Sequence, residues 1–132
     1  MPSMKILLIA GGWSSEREVS LTGARGMQEA LLKRGHAVTF FDLLENFDEL
    51  LETARQHDFA LINLHGSPGE DGLVQAMLEK AGCPYQGSGP SGSFLALNKA
   101  AAKQIFRMAG LPTADWEFLP VRPAEGWEPR LP

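Results

Sequence analysis

Two short stretches hold most of the side chains able to do chemistry. Gly11-Gly12-Trp13-Ser14-Ser15-Glu16-Arg17-Glu18-Val19-Ser20 places two carboxylates two positions apart, and His65-Gly66-Ser67-Pro68-Gly69-Glu70-Asp71-Gly72 sets an imidazole beside two more. Carboxylates after a glycine turn repel a phosphate and suit an ammonium group, while a histidine can hold a carboxylate or a polar transition state. Each residue also has a structural reading. Ser15-x-x-Glu18 matches a capping box, and first-turn acids complement a helix dipole, which explains Glu18 without a ligand. Asp71 fits the same description ahead of a helix. Glu16 falls outside the box and nearer a strand end, so it is the stronger functional candidate, and Glu70 stays open. The alternative for His65, placed after a buried strand to point into the crevice, is a satisfied structural histidine. His36, behind Gly35, and His57, in a polar turn, read as surface residues, and neither pairs with another metal ligand. The lone Cys83 reads as a small buried hydrophobe.

These residues need a scaffold, and hydrophobic periodicity supplies one. Lys5 to Ala10 is a continuous apolar run stopped by Gly11-Gly12, the pattern of a strand buried on both faces of a parallel sheet. Leu21, Ala24, Met27 or Gln28, and Leu31 recur at helical spacing over about Val19 to Arg34, and Gly35 is the stop. Ala37 to Phe41 reads as a second strand, Phe47 to Ala54 as a short helix, Phe59 to Leu64 as a third strand and Asp71 to Ala81 as a further helix, with a brief extended piece at Tyr85 to Gly87. Strands alternating with helices imply right-handed crossovers and a Rossmann-like α/β domain. Ser93 to Met108 follows as a helical stretch, then Gly110-Leu111-Pro112 and a strand candidate containing Trp116. The expected strand order, 2-1-3, opens a ligand crevice between the first and third strands, so the two polar loops should face each other.

Composition narrows the class. The chain has 132 residues, 44% hydrophobic and 21% charged, with a net charge of -4. That mixture suits a water-soluble globular core, and the scattered cations give no basic face for nucleic acid. The opening apolar run is too short for a membrane span or a signal core, so a cytoplasmic setting is expected. Val121 to Pro132 is proline-rich and poor in apolar residues, so the chain is expected to stop partway through a larger protein.

Gly11-Gly12-x-Ser14-x-Glu16-Arg17-Glu18-Val19-Ser20-Leu21 resembles the opening motif of the D-alanine:D-alanine ligases, members of the ATP-grasp superfamily. His65-Gly66-x-x-Gly69-Glu70-Asp71-Gly72-x-x-Gln75-x-x-Leu78-Glu79 resembles the family's second signature, followed by Pro84-Tyr85-x-Gly87-Ser88-Gly89. Asn98-Lys99 and Lys103, with Gly110-Leu111-Pro112, resemble the lead into the central ATP-grasp domain. The three blocks fall in family order over nearly all of residues 5–118.

The resemblance implies ATP-driven joining of two D-alanines through an acyl phosphate, for peptidoglycan precursor synthesis, with magnesium or manganese on the phosphates. It implies an amino-terminal substrate domain over residues 1–92 and the start of the central domain over 93–132. Glu16 would hold the ammonium of the first D-alanine and Val19 would pack on its methyl group. His65 would lie near the reacting carboxylate, with Ser20, Gly66 and Glu70 as further substrate contacts. Lys99 would reach ATP phosphates. Metal ligands and most of the second D-alanine site would lie elsewhere, so catalysis by these residues alone is not expected. Pairing as a homodimer is implied, with Leu43, Leu44 and Phe47 as apolar candidates. Two positions depart from the pattern: Asn98 stands where Asp is common, and Trp13 is bulky for its turn.

Other readings remain open: a non-catalytic small-molecule module, or a related ligase with D-lactate or D-serine as acceptor. A dehydrogenase half is disfavoured, since the G-x-G-x-x-G fingerprint is missing and Asp42 follows Gly11 by about thirty residues rather than about twenty.

Overall fold

In the computed structural model, which describes residues 2–129, three strands and the helices between them follow in the order strand, helix, strand. Strand β1 (Lys5–Ala10) lies between β2 (Ala37–Asp42) and β3 (Phe59–Asn63), both parallel to it, giving the order β2-β1-β3. The central strand is therefore the one whose sequence is apolar throughout. Its alternate residues feed two cores: Leu7 and Ile9 pack with Phe41, Leu50, Leu64, Val74 and Leu78, whereas Leu8 and Ala10 pack with Ala24. Helix α1 (Arg17–Lys33) thus covers one face, and α3 (Leu50–Ala54) with α4 (Leu73–Ala81) covers the other.

Local chemistry sets the helix ends. Gly35 (φ 84°) ends the turn after α1, and Gly82 (φ 74°) ends α4, where Cys83 N–H closes back on Leu78 O at 3.0 Å. The segment expected as one helix over Phe47 to Ala54 is instead α2 (Leu43–Asn46), a 3₁₀ turn (Phe47–Glu49) and α3, because Asp42 starts the helical path early by accepting Leu44 N–H. Leu43 is fully buried, which removes it as a pairing residue; Leu44 is exposed and Phe47 packs on the core. Strand β3 ends one residue sooner than expected, at Asn63, and Tyr85 forms a single parallel bridge to Ala60.

The chain divides into two compact units, Met1–Phe94 and Leu95–Pro132. The helix expected over Ser93 to Met108 is two helices, α5 (Pro90–Leu97) and α6 (Lys99–Met108). Asn98 separates them: its backbone is extended (ψ 91°) and its side chain caps α6 by accepting Ala101 N–H at 3.1 Å. Residues 111–120, including Trp116, form no strand; the segment is tied to α6 by Lys103 to Ala114 O at 2.7 Å and Arg107 to Asp115 at 2.9 Å. Among the described residues no helix is long and apolar enough to cross a membrane.

Candidate functional site

The carboxyl ends of the three strands finish in one row, since Ala10 is in register with Asp42 on one side and Asn63 on the other. Beyond Ala10 the chain turns through Gly11 (φ 80°) and Gly12 (φ 77°) into α1. A side chain at Gly11 would overlap the Arg17 guanidinium and lie 2.7 Å from Asp42 Oδ1, so the turn needs glycine for conformation and for space. The loop from β3 comes close to this turn: a Cβ on Gly12 would lie 3.3 Å from Leu64 Cδ2, and one on Gly66 would lie 3.4 Å from Ser14 Cβ. The two polar loops therefore do face each other.

The first turn of α1 is pinned on both sides. Arg17 forks onto Asp42 at the end of β2, with Nη1 to Oδ1 at 2.7 Å and Nη2 to Oδ2 at 2.6 Å, and also reaches Gly12 O at 3.3 Å. This hydrogen bond from Arg17 holds the Asp42 carboxyl below its ordinary range against the opposing effect of burial, and the same pairing raises Arg17. Three residues on, the buried Ser20 hydroxyl donates to Asn63 O and accepts Gly11 N–H at 2.8 Å, while Asn63 Nδ2 donates to Ser20 O at 2.7 Å. With Arg17 and Ser20 turned to the sheet, Glu16 and Val19 stand on the adjoining surface, and Val19 keeps 61% of its area exposed.

The capping box expected from Ser15 and Glu18 is not formed. Glu16 occupies the N-cap position with no side-chain cap bond, and it is the Ser14 hydroxyl that accepts Glu16 N–H, at 3.2 Å. The helix begins at Arg17, one residue later than the box requires, which takes Ser15 out of the N-cap position. The Glu16 carboxylate is exposed and carries no hydrogen bond or ion pair among the described residues. Ser20, expected at the end of this loop, lies instead within the first turn of α1, and its hydroxyl both donates to and accepts from backbone.

On the facing loop His65 is half-buried, and its ring makes no hydrogen bond among the described residues. Gly66 (φ 66°) donates its N–H to Glu70 Oε2 at 2.8 Å, closing the turn that carries His65. Asp71 precedes α4 rather than beginning it: its carboxylate accepts from Leu73 N–H at 3.0 Å and from the Ser67 hydroxyl. Buried Gln75 donates to Gly69 O at 2.6 Å and fixes the rest of the loop from below. Neither His36 nor His57 is a free surface residue. His36 Nδ1 accepts Met4 N–H at 3.3 Å, and His57 bridges Thr53 O and Thr39 Oγ1, each at 2.7 Å. Cys83 is buried, and burial pushes its thiol up, away from the thiolate a nucleophile needs.

Trp13 fills the space beside the glycine turn by an edge-on contact with Phe47, 5.4 Å between ring centres at 71°. Packing of this kind accounts for a bulky residue at the turn. In the second unit Lys99 is exposed at the first position of α6. A cavity of about 440 Å³ in that unit is walled by α6, Trp116 and Phe118 and offers no ionisable side chain. Among the described residues no group of His, Cys, Asp or Glu converges as a metal site.

Arg17, Asp42, Asn63 and Gln75 were not picked out as site residues. Asp42 and Asn63 had a detectable signal, as the single polar residues closing two apolar strands at the edge where such sheets bind ligands.

No family model matches the chain. Among curated proteins it is 77% identical over 129 residues to the D-alanine–D-alanine ligase of Desulfovibrio desulfuricans, covering 98% of the chain and 42% of that protein. It is 70% identical over 128 residues to the D-alanine–D-alanine ligase of Nitratidesulfovibrio vulgaris, again 42% of that protein. The chain thus spans about two-fifths of the length of the relatives it matches. Among solved structures, D-alanine–D-alanine ligase from Bacillus anthracis complexed with ATP superposes with a TM-score of 0.81 at 38% identity, over 94% of this chain and 43% of that one. The D-alanyl-alanine synthetase A of Vibrio cholerae gives 0.72 at 31%, over 90% and 41%. The strand order, the paired glycine loops and these likenesses agree: the chain belongs to the D-alanine–D-alanine ligase family and corresponds to its amino-terminal domain.

Proposed function

We propose that this chain supplies the first D-alanine subsite of an ATP-dependent ligase that joins two D-alanines for peptidoglycan precursor synthesis. The observation that carries the reading is the pair of unpartnered polar side chains, Glu16 and His65, on two loops that the sheet brings face to face. A carboxylate free of internal partners at a crevice can hold a substrate ammonium through charge-assisted hydrogen bonds. Val19, apolar and exposed one turn along α1, supplies a surface for a methyl group. The half-buried His65 orients the carboxylate at the other end of the amino acid through a hydrogen bond. Glu70 and Gly66 contribute by holding the His65 turn, and Ser20 by anchoring α1.

We assign residues 1–92 to the substrate domain and 93–132 to the start of the ATP-grasp central domain. ATP supplies the phosphoryl group that makes the first D-alanine carboxylate electrophilic. Lys99 fits one contact to an ATP phosphate, as a compact, exposed cation. Among the described residues no group of His, Cys, Asp or Glu fits a magnesium or manganese ion. A cytoplasmic setting and pairing as a homodimer belong to the same reading.

The test replaces Glu16 in a ligase-length protein carrying this segment. Glu16→Gln keeps size and hydrogen bonding but removes the charge. The KM for the first D-alanine should rise at least tenfold, about 1.4 kcal/mol, with unchanged thermal stability. Unchanged D-alanine kinetics would reject the ammonium role.

A further inference from the structure

We infer that Asn63 is a positioning residue, which together with Ser20 latches the His65 loop to the first turn of α1 and so sets the distance across the first D-alanine subsite. The inference rests on the subsite reading above and adds to it a residue whose side chain touches no substrate.

Asn63 is the last residue of β3, two positions before His65. Ser20 lies one residue after Val19 and four after Glu16. The two exchange a reciprocal pair of bonds: Ser20 Oγ to Asn63 O, and Asn63 Nδ2 to Ser20 O at 2.7 Å. Ser20 Oγ accepts Gly11 N–H at 2.8 Å as well, so the end of β1, the end of β3 and the start of α1 meet on one buried hydroxyl. Space has been left for the latch. A Cβ on Gly23 would lie 3.1 Å from Asn63 Nδ2, so α1 carries glycine where the amide passes. On the opposite flank Arg17 and Asp42 tie α1 to β2, but that bond cannot fix the distance to β3. Of these two ties it is the Asn63 side that runs from α1 to β3, across the two halves of the proposed subsite. A displacement of about 1 Å between groups that bind one small substrate is enough to change its use by one to two orders of magnitude.

A purely structural role would show itself differently, and the strand supplies its own control. Gln86 also makes two bonds to β3, accepting Ile62 N–H at 3.0 Å and donating to Ile62 O at 2.6 Å, one residue before Asn63 and away from α1. The experiment compares Asn63→Ala with Gln86→Ala in a ligase-length protein carrying this segment, measuring thermal stability and the separate KM values for D-alanine and ATP. Both variants should lose a similar number of degrees, while Asn63→Ala alone raises the first-site KM for D-alanine by about tenfold and leaves that for ATP within about twofold. Equal D-alanine KM values in the two variants, or an equal rise in both KM values for Asn63→Ala, overturn the inference. Amide exchange on the 132-residue chain is read in parallel. Asn63→Ala should speed exchange at Gly11 and Gly66 and Gln86→Ala should not; protection unchanged at both amides overturns the latch. A wild-type protein with no D-alanine-dependent turnover would sink the subsite reading, and the exchange result would then judge the latch by itself.

Discussion

Replacing Asp42 by Asn removes a charge without removing volume, and its cost can be worked from the geometry. Asp42 accepts two charge-assisted bonds from Arg17, at 2.7 and 2.6 Å, and caps α2 through Leu44 N–H at 3.1 Å. The side chains of Arg17 and Asp42 keep 23% and 15% of their surface exposed, so the pair lies between a solvated ion pair worth up to about 1 kcal/mol and a buried one whose disruption costs about 3–5 kcal/mol. An amide can still cap α2 and accept one bond from Arg17. The expected loss is therefore about 2–3 kcal/mol, or about 10–20 °C in Tm for a unit of this size. The pH dependence has a definite sign. Because Arg17 lowers the Asp42 carboxyl in the folded chain, the stabilisation is fully present above the unfolded aspartate range, near pH ~4, and is lost as pH falls through the lower folded value. Thermal unfolding followed by circular dichroism should show the wild-type advantage at pH 7 and its disappearance in strong acid. A gap of less than about 2 °C at pH 7, or one that persists unchanged at the acid end, would refute the argument.

Gly69→Ala places a Cβ onto Leu64 Cβ, which is rigid core, so about 1–3 kcal/mol of stability should go, together with the set of the His65 loop; denaturant titration measures the first and D-alanine KM the second. Asn98→Ala deletes the α6 cap and should cost about 1 kcal/mol in thermal stability, whereas Asn98→Asp, which retains the accepting oxygen, should cost almost nothing. Lys99→Ala in a ligase-length protein should raise the KM for ATP while sparing that for D-alanine, and a defect confined to D-alanine would contradict its assignment.

The sheet was legible because burial writes itself directly into sequence. Ile6 to Ala10 must be apolar on both faces, so no other residues than those of a central strand would do, and the glycines after β1 and α4 mark conformations that few other residues adopt. Glu16, His65 and Glu70 were singled out through their places after strand ends and through family likeness, and the structure puts Glu16 on one of the two facing loops and His65 and Glu70 on the other. What escaped depends on contacts distant in sequence. Arg17 finds Asp42 across 25 residues and Ser20 finds Asn63 across 43, so the bonds that pin α1 leave no short-range pattern. The capping box failed for a local reason: the motif was present, but Ser14 accepts Glu16 N–H and the helix starts one residue later than the box requires, leaving Ser15 outside the N-cap position. The break at Asn98 was hidden in a run of good helix formers, where a single asparagine decides between continuing a helix and capping the next one.

The central claim is that this segment forms the D-alanine side of a ligase. Its most direct test is D-alanine-dependent release of ADP from ATP and magnesium, measured on this chain and on a chimera in which it replaces the matching segment of the Desulfovibrio desulfuricans ligase. The account predicts turnover in the chimera, its collapse on Glu16→Gln, and none from the chain alone. A correctly folded chimera that releases no ADP in response to D-alanine would contradict it.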